Sequence, residues 1–259
     1  MTRKEFVATQ FPSLAGWIRA AAEAGSNARI HECDGVVAQV SPAIPDASLF
    51  NSVTYRDAAA LKAALPELAS AYAEAGVRAW TVWIHESDAE ASALVRDAGH
   101  VLDATPEGMG CSLEELVAPD GIEELDYTDN PRPDALQTVL ARGYGFPLEV
   151  SRRATAAVPA GPGTLVGLAH FEGRPACTVQ VTLAGSDAGV FAVATTPEAR
   201  GRGLARCLQY VLLQRAREQG AETTTLQASD MGRDVYAALG YSSFGAMNMW
   251  ERRQPPAVS

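Results

Sequence analysis

The most constraining feature of the sequence is a glycine-rich turn between an apolar segment and an amphipathic one. Residues 190–194 read VFAVA, and Leu204, Leu208 and Leu212 recur at helical spacing after the turn. The pattern therefore predicts a strand, a tight loop and a helix in direct succession. Such a junction aims free backbone N–H groups and the positive end of the helix dipole at one point, which favours a bound phosphate.

The residue types in the turn indicate which class of phosphate-binding loop it can form. Gly201 and Gly203 have no side chain that would keep an anion from the backbone, and Arg200, Arg202 and Arg206 add positive charge to a chain of net charge −10. A Walker loop requires a lysine that is absent here, and a dinucleotide fingerprint requires a glycine where Arg206 stands. Both of these nucleotide-binding loops are therefore disfavoured.

The pattern that is present, R-x-x-G-x-A at Arg200, Gly203 and Ala205, resembles the acyl-CoA pyrophosphate loop of the GNAT superfamily of N-acyltransferases. Downstream, the run 226–229 (LQAS) followed by Tyr236 and then Leu-Gly-Tyr at 239–241 resembles the second motif of that superfamily. The resemblance covers roughly residues 121–250, about half of the chain. On the first motif alone, an ordinary strand-to-helix turn with surface arginines is the alternative.

The resemblance implies a set of site residues. The backbone of Val193, Ala194 and Thr195 would pair with the pantetheine arm, and the N–H of Val193 or Ala194 would polarise the thioester carbonyl. Ser229 is a further expected cofactor-binding residue. Tyr236 stands where many relatives keep the tyrosine that protonates the CoA sulfur; a core tyrosine with its hydroxyl at the rim is the alternative. The pyrophosphate would be bound by Arg200, Gly201, Arg202, Gly203, Leu204, Ala205 and Arg206.

No general base is evident from the sequence. Many relatives carry a glutamate on the strand before the loop, but residues 190–194 have no ionisable side chain. Candidates elsewhere are Asp187, His170, Glu172 and Glu149, each of which also fits a solvated surface charge, and a water chain is a further alternative.

Two domains are expected from the length and from a turn-forming cluster. A chain of 259 residues suits two domains of ordinary size, and residues 117–121 (VAPDG) break the periodic pattern. We therefore expect a domain at 1–118 and a catalytic domain at 121–259. In the second, the expected elements are a strand at 122–127, helices at 134–142 and 148–157, a hairpin at 164–170 and 176–183, a strand at 223–228, a short helix at 232–239 and a closing strand at 241–250.

The first half repeats a helix-strand-helix order that is also expected in the second half. A helical stripe ends at Gly76, a strand follows at 80–85, and a helix at 89–98 is closed by Gly99. Gly76 matches Gly220, and Gly99 matches Gly240, when a three-residue insertion is allowed. This suggests a degenerate GNAT-like unit and a mixed-sheet α/β (α+β) fold of tandem GNAT domains, with chance similarity of common α/β units as the alternative.

The N-terminal unit lacks the features of a CoA site. Its equivalent helix starts near 56–60 (RDAAA), which has no glycine and adds the carboxylate of Asp57, and Val95 aligns with Tyr236. We therefore expect one acyl-CoA per chain and a scaffold role for this half.

Composition excludes several classes of partner. The acidic net charge argues against bulk affinity for nucleic acid or anionic membranes, no apolar run approaches the roughly 20 residues that span a bilayer, and no signal peptide is evident. The four scattered cysteines favour neither a metal nor a disulfide framework and fit the cytoplasm.

Together these features predict an N-acetyltransferase that uses acetyl-CoA as co-substrate, needs no metal and modifies a small amine, with a mild preference for a cationic one. The alternative is a non-catalytic acyl-CoA-binding or regulatory protein. The expected assembly is a monomer in which the two halves form a pseudo-dimer, or a homodimer.

Overall fold

The helices and strands of this computed structural model alternate along most of the chain, and the structure describes residues 2–159, 161 and 163–254. The α-helices are α1 (Arg3–Ala24), α2 (Ala58–Glu74), α3 (Ala89–Asp97), α4 (Pro133–Tyr144), α5 (Leu148–Ala154), α6 (Leu204–Glu218) and α7 (Arg233–Ala237). The strands are β1 (Arg29–Cys33), β2 (Val36–Val40), β3 (Ser52–Tyr55), β4 (Ala79–His85), β5 (Val101–Ala104), β6 (Glu107–Ser112), β7 (Tyr127–Asp129), β8 (Thr164–Phe171), β9 (Arg174–Ala184), β10 (Asp187–Thr195), β11 (Thr223–Ala228) and β12 (Ser242–Arg253).

The described strands form one open mixed sheet. Its order is β1-β2-β3-β4-β12-β6-β11-β10-β9-β8-β7, with β5 paired beside β12. Within the described ranges, the parallel pairs are β3 with β4 and β10 with β11, and in each pair an α-helix connects the two strands.

The two halves repeat one order of elements. Three antiparallel strands, a helix, a parallel strand and a second helix occur as β1, β2, β3, α2, β4 and α3, and again as β8, β9, β10, α6, β11 and α7. The similarity seen in the sequence thus extends to three further strands of the first half.

The halves also exchange strands. β6, which precedes residue 118, lies between β11 and β12, while β12 pairs along residues 247–253 with β4. Each half therefore completes its sheet with a strand from the other. The division at residue 118 stays a prediction about sequence, and the sheet itself does not divide there.

Helix α1 connects the halves on one face of the sheet. Its apolar side chains, among them Phe6, Trp17 and Ile18, share a buried cluster with Trp83 of β4 and Phe191 of β10. α4 packs on the same face over β9 and β10, whereas α2, α3, α6 and α7 cover the other face. The molecule is thus a three-layer α/β/α arrangement.

Most expected elements of the second half are confirmed, but three differ. The strand expected at 122–127 is wrong, because Gly121 at φ +83° starts a 3₁₀ turn at Ile122–Glu124 and the strand is confined to β7. α5 ends at Ala154, since Thr155 has left helical geometry at φ −129°. The closing strand is longer than expected, because β12 continues through a bulge near Gly245.

Candidate functional site

The parallel pair β10 and β11 opens into a cleft. The two strands pair only at residues 187–189 and 223–225. Farther along, β10 carries a bulge in which Ala192 and Val193 have no partner residue on β9, and Ala192 takes a left-handed φ of +51°. The edge of β10 that faces β11 is therefore unpaired from residue 190 onward, next to the segment expected to bind pantetheine.

A buried carboxyl group holds the closed end of this cleft together. Asp187 accepts hydrogen bonds from Thr223 Oγ1 at 2.9 Å and Thr225 Oγ1 at 2.6 Å. Burial raises the pKa of this carboxyl, while the threonine hydroxyls oppose the rise. Because Asp187 is 2% exposed and does not line the cavity described below, its position fits a structural role better than that of a base.

The turn before α6 leaves an open space at the N-terminus of the helix. Gly201 and Gly203 have φ of +73° and +77°, a region that favours glycine. A Cβ atom at Gly201 would meet nothing within 4 Å, and one at Gly203 would meet only Arg206 Nη2 at 3.8 Å. Gly203 is the N-cap of α6 and offers no side-chain cap, so the first N–H groups of the helix remain available to an anion.

The arginines of the turn differ in their surroundings. Arg200 Nη2 donates to the Gly143 carbonyl at 3.0 Å and Nε donates to the Thr195 carbonyl at 3.4 Å, which ties the turn to the end of α4. Among the described residues, Arg202 and Arg206 form no ion pair with a carboxylate. Arg200 thus positions the turn, and the other two supply its uncompensated positive charge.

A cavity of about 260 Å³ lies at the open end of the cleft. Its lining on the side of the cleft includes Val190, Val193, Leu226, Ser229 and Tyr236. β10 ends at Thr195 and the glycine-rich turn follows, so one strand leads from the cavity to the N-terminus of α6.

Tyr236 lines the cavity, and its hydroxyl forms no hydrogen bond with any of the described residues. The side chain is 8% exposed, and its ring lies 6.0 Å from that of Tyr241. Burial is the main cause that raises the pKa of Tyr236, with the nearby Tyr144 and Cys177 adding to it. The phenol therefore stays protonated over the whole neutral range and has a proton to give.

The structure brings several predicted site residues together and separates others. Val193, Ala194, Ser229 and Tyr236 surround or adjoin the cavity, although Ala194 and Thr195 also pair with Thr178 and Cys177 of β9. Leu204, Ala205 and Arg206 form the first turn of α6.

The other candidate bases lie away from the cavity. Glu149 pairs with Arg153 in α5, His170 Nδ1 lies 3.8 Å from Asp126 Oδ1, and Glu172 occupies the β8–β9 turn. None of them is among the described residues that line the cavity.

The equivalent junction of the first half is closed to an anion. At the start of α2, Asp57 Oδ1 accepts the N–H of Ala60 at 2.9 Å, and Arg56 pairs with Asp57 and Asp34. The carboxylate therefore occupies the helix terminus where the second half has an open space.

One side-chain cluster in the described ranges has ligand atoms suited to a metal. His31, Cys33 and Glu67 place one ligand atom each within 4.8 Å of one another. They belong to β1 and α2, at the sheet edge remote from β10 and β11, so the cluster is separate from the cavity.

Sequence reasoning missed the wall opposite Tyr236. It is formed by Trp17, Phe50, Trp83, Phe146 and Met249, which come from both halves of the chain. Their aromatic and apolar character is visible in the sequence, but their convergence depends on the packing of α1 and on the strand exchange.

One family model matches part of the second half of the chain. Residues 123–241 match the model of the acetyltransferase (GNAT) family. No curated protein matches the sequence.

Similar solved structures extend over the whole chain. A GCN5-related N-acetyltransferase from Kribbella flavida has a TM-score of 0.69 at 17% identity, and the match covers 96% of this chain and 97% of that one. A tandem GNAT protein from the clavulanic acid biosynthesis pathway has a TM-score of 0.56 at 14% identity, with 97% and 98% covered. A GCN5-related N-acetyltransferase from Sphaerobacter thermophilus has a TM-score of 0.56 at 14% identity, with 87% and 82% covered. These similarities confirm the mixed α/β fold class.

None of the helices in the described ranges combines the length and apolarity needed to cross a bilayer.

Proposed function

On the match of residues 123–241 to the acetyltransferase (GNAT) family model, we propose that the protein transfers an acetyl group from acetyl-CoA to the amine of a small molecule. The observation that carries the proposal is the combination of an uncapped helix N-terminus, an unpaired strand edge and a buried phenol along one continuous cleft. The helix N-terminus would bind the pyrophosphate, the strand edge would pair with the pantetheine arm, and the phenol would protonate the leaving thiolate.

The helix terminus and its arginines would hold the pyrophosphate. Backbone N–H groups at the start of α6 donate to phosphate oxygens without side-chain obstruction, because Gly201 and Gly203 have open space before them. Arg202 and Arg206 add charge, and Arg200 keeps the turn against α4.

The strand edge would hold and polarise the thioester. The unpaired edge of β10 offers peptide groups to the amides of pantetheine, and an N–H beside the bulge, that of Val193, donates to the carbonyl oxygen as it becomes anionic. Fixing the thioester at this edge also converts a bimolecular reaction into a positioned one.

The Tyr236 hydroxyl and water together account for every proton that moves during the acetyl transfer. The ammonium form of the acceptor loses a proton to water, and its nitrogen then attacks the carbonyl carbon. The N–C bond forms and the C–S bond breaks, while the hydroxyl proton of Tyr236 goes to the leaving sulfur. The second proton that the nitrogen loses restores the phenol. The raised pKa of Tyr236 suits this role because the group is protonated before the reaction.

The first half would serve as a scaffold in a chain that binds one acetyl-CoA. Asp57 already fills the helix terminus of that half, and Val95, fully buried, stands in place of a tyrosine. Since strands are exchanged between halves, we propose that one chain forms the working unit, as a pseudo-dimer. The four free cysteines support a reducing compartment, the cytoplasm.

Calorimetric titration followed by a CoA-release assay tests this proposal. We expect a stoichiometry near one acetyl-CoA per chain, and release of free CoA that depends on an added amine. Binding without amine-dependent release, across a panel of chemically different amines, would favour the alternative of a non-catalytic acyl-CoA-binding protein. Absence of binding at millimolar acetyl-CoA would overturn both.

A further inference from the structure

The cavity beside Tyr236 has two sides with different origins. The side nearest the cleft is built by β10, β11 and α7, where the thioester is expected. On the opposite side, next to residues of α4 and α5, lies the part of the lining here termed the acceptor chamber, made of Trp17, Leu49, Phe50, Trp83, Phe146 and Met249. Four of these six residues precede residue 118, so both halves of the chain contribute to the chamber.

The chamber contains no ionisable counter-ion for a charged substrate. No Asp, Glu, Lys, Arg or His is among the described residues that line the cavity. Two of its polar side chains are engaged within the protein: Gln227 Nε2 donates to Gln10 Oε1 at 2.8 Å, and Ser151 Oγ donates to the Gln137 carbonyl at 2.9 Å. An acceptor with several ammonium groups would therefore bury charge without a partner, which is strongly unfavourable.

The aromatic walls are fixed in place by their own contacts. Trp17 stacks on Phe191 with ring centroids 5.3 Å apart, and Phe50 meets Phe146 edge to face at 6.0 Å. The indole N–H of Trp83 donates to a serine hydroxyl at 3.0 Å, which satisfies its polar edge within the protein. What remains available to a substrate is rigid apolar surface, which binds alkyl or aryl groups by the hydrophobic effect.

The same surroundings explain the absence of a carboxylate base. An apolar environment disfavours the charged form of an amine and so lowers its pKa on binding. The chamber itself would thus help to produce the neutral nucleophile, with water as the proton acceptor. The net charge of −10, which favours cationic substrates at the surface, does not extend into this site.

We propose that the acceptor is a monoamine with an alkyl or aryl body, seated in the chamber formed by Trp17, Phe50, Trp83, Phe146 and Met249. This inference rests on the proposed acetyl transfer and names its substrate class. The cavity of about 260 Å³ must also admit the thioester, so the acceptor is small.

The Phe50–Phe146 pair sets the length of the chamber. Leu49, Phe50 and Phe146 also line a second cavity of about 510 Å³, which lies on the other side of this pair. Removing the Phe50 ring should therefore join the two spaces and admit a longer acceptor.

A homologous series of amines tests the proposal. With saturating acetyl-CoA, kcat/KM for straight-chain monoamines should rise by about fourfold for each added methylene until the chamber is filled. Phenylethylamine should be accepted, while spermidine and an aminoglycoside should react far more slowly. In Phe50→Ala, a half-buried position, the rise should continue to longer chains. Leu102→Ala, an exposed residue of β5, is the matched control and should keep the wild-type series.

The outcomes separate the two proposals. If spermidine or the aminoglycoside is the better substrate, or if chain length has no effect, the acceptor class is wrong and acetyl transfer stands. If no amine is acetylated, transfer is refuted, and tryptophan fluorescence then reports on the chamber through Trp17 and Trp83. A fluorescence change that saturates with hexylamine but not with spermidine supports the acceptor class, whereas no change with hexylamine overturns it.

Discussion

Replacing Gly203 by alanine separates the strain of the turn from its role in binding acetyl-CoA. Gly203 has φ +77°, so alanine there is strained by about 1–2 kcal/mol. The added Cβ would meet only Arg206 Nη2 at 3.8 Å, so no clash within the protein adds to this cost. The methyl group would instead project into the open space proposed for the pyrophosphate.

Gly76 provides a matched control. It follows the C-terminal end of α2 in the first half with φ +69°, and a Cβ there would meet nothing within 4 Å. Gly76→Ala should therefore carry a similar backbone strain at a site away from the glycine-rich turn before α6. For both variants we expect the Tm to fall by about 2–4 °C for each kcal/mol of strain.

The two variants should differ in acetyl-CoA binding. Loss of one charge-assisted N–H contact to phosphate, worth about 1.5–3 kcal/mol, weakens the Kd by about 10–100-fold. Calorimetry should show this loss for Gly203→Ala, while Gly76→Ala stays within about twofold of wild type. Thermal stabilisation by acetyl-CoA, which depends on the ratio of ligand concentration to Kd, should follow the same order. Equal affinity in the two variants would refute the assignment of the turn as the pyrophosphate site.

Three further predictions follow from other parts of the structure. Tyr236→Phe should lower kcat by about 10²–10⁴-fold with little change in acetyl-CoA affinity. The control Tyr210→Phe, on α6, should leave kcat unchanged. An unchanged kcat in Tyr236→Phe, under conditions where chemistry limits turnover, would exclude Tyr236 as the proton donor. Burial lowers the pKa of His100 to about 4, so between pH 6.5 and 4 the unfolded chain takes up a proton that the folded chain does not. The free energy of unfolding should then fall by about 3 kcal/mol as the pH drops through this window, and denaturant titrations of His100→Gln should lack this part of the slope. A chain that begins at Gly121 lacks β6, so the edge of β11 that pairs with β6 is left open along residues 223–228. This chain should aggregate; a soluble, fully active product would show that the strand exchange is dispensable.

The local elements of the second half were predictable because their signals lie within short stretches of sequence. β11 has the predicted bounds of 223–228, and the strand, glycine turn and α6 follow in the predicted order. Positive φ at Gly201 and Gly203 is a local requirement that glycine meets, so the turn could be read from residue types alone.

The tertiary structure decided which strands became neighbours. Periodicity reports that a strand is buried on one or both faces, but it carries no information on its partner. Nothing in the patterns of β6 or β12 distinguishes pairing within a half from the exchange that the sheet contains. α1, which was not predicted, owes its position to contacts with both halves.

The same division holds for the site. Sequence alone identified the glycine-rich turn as a candidate anion site and Tyr236 as a candidate proton donor, because both belong to short motifs with fixed spacing. It did not determine the acceptor chamber, since Trp17, Trp83, Phe146 and Met249 are far apart in the chain and meet only when α1 packs across the sheet and β12 crosses into the first half. The absence of charged side chains from the described lining of that chamber is likewise a property of the packed molecule, because the acidic residues that give the chain its net charge remain outside it.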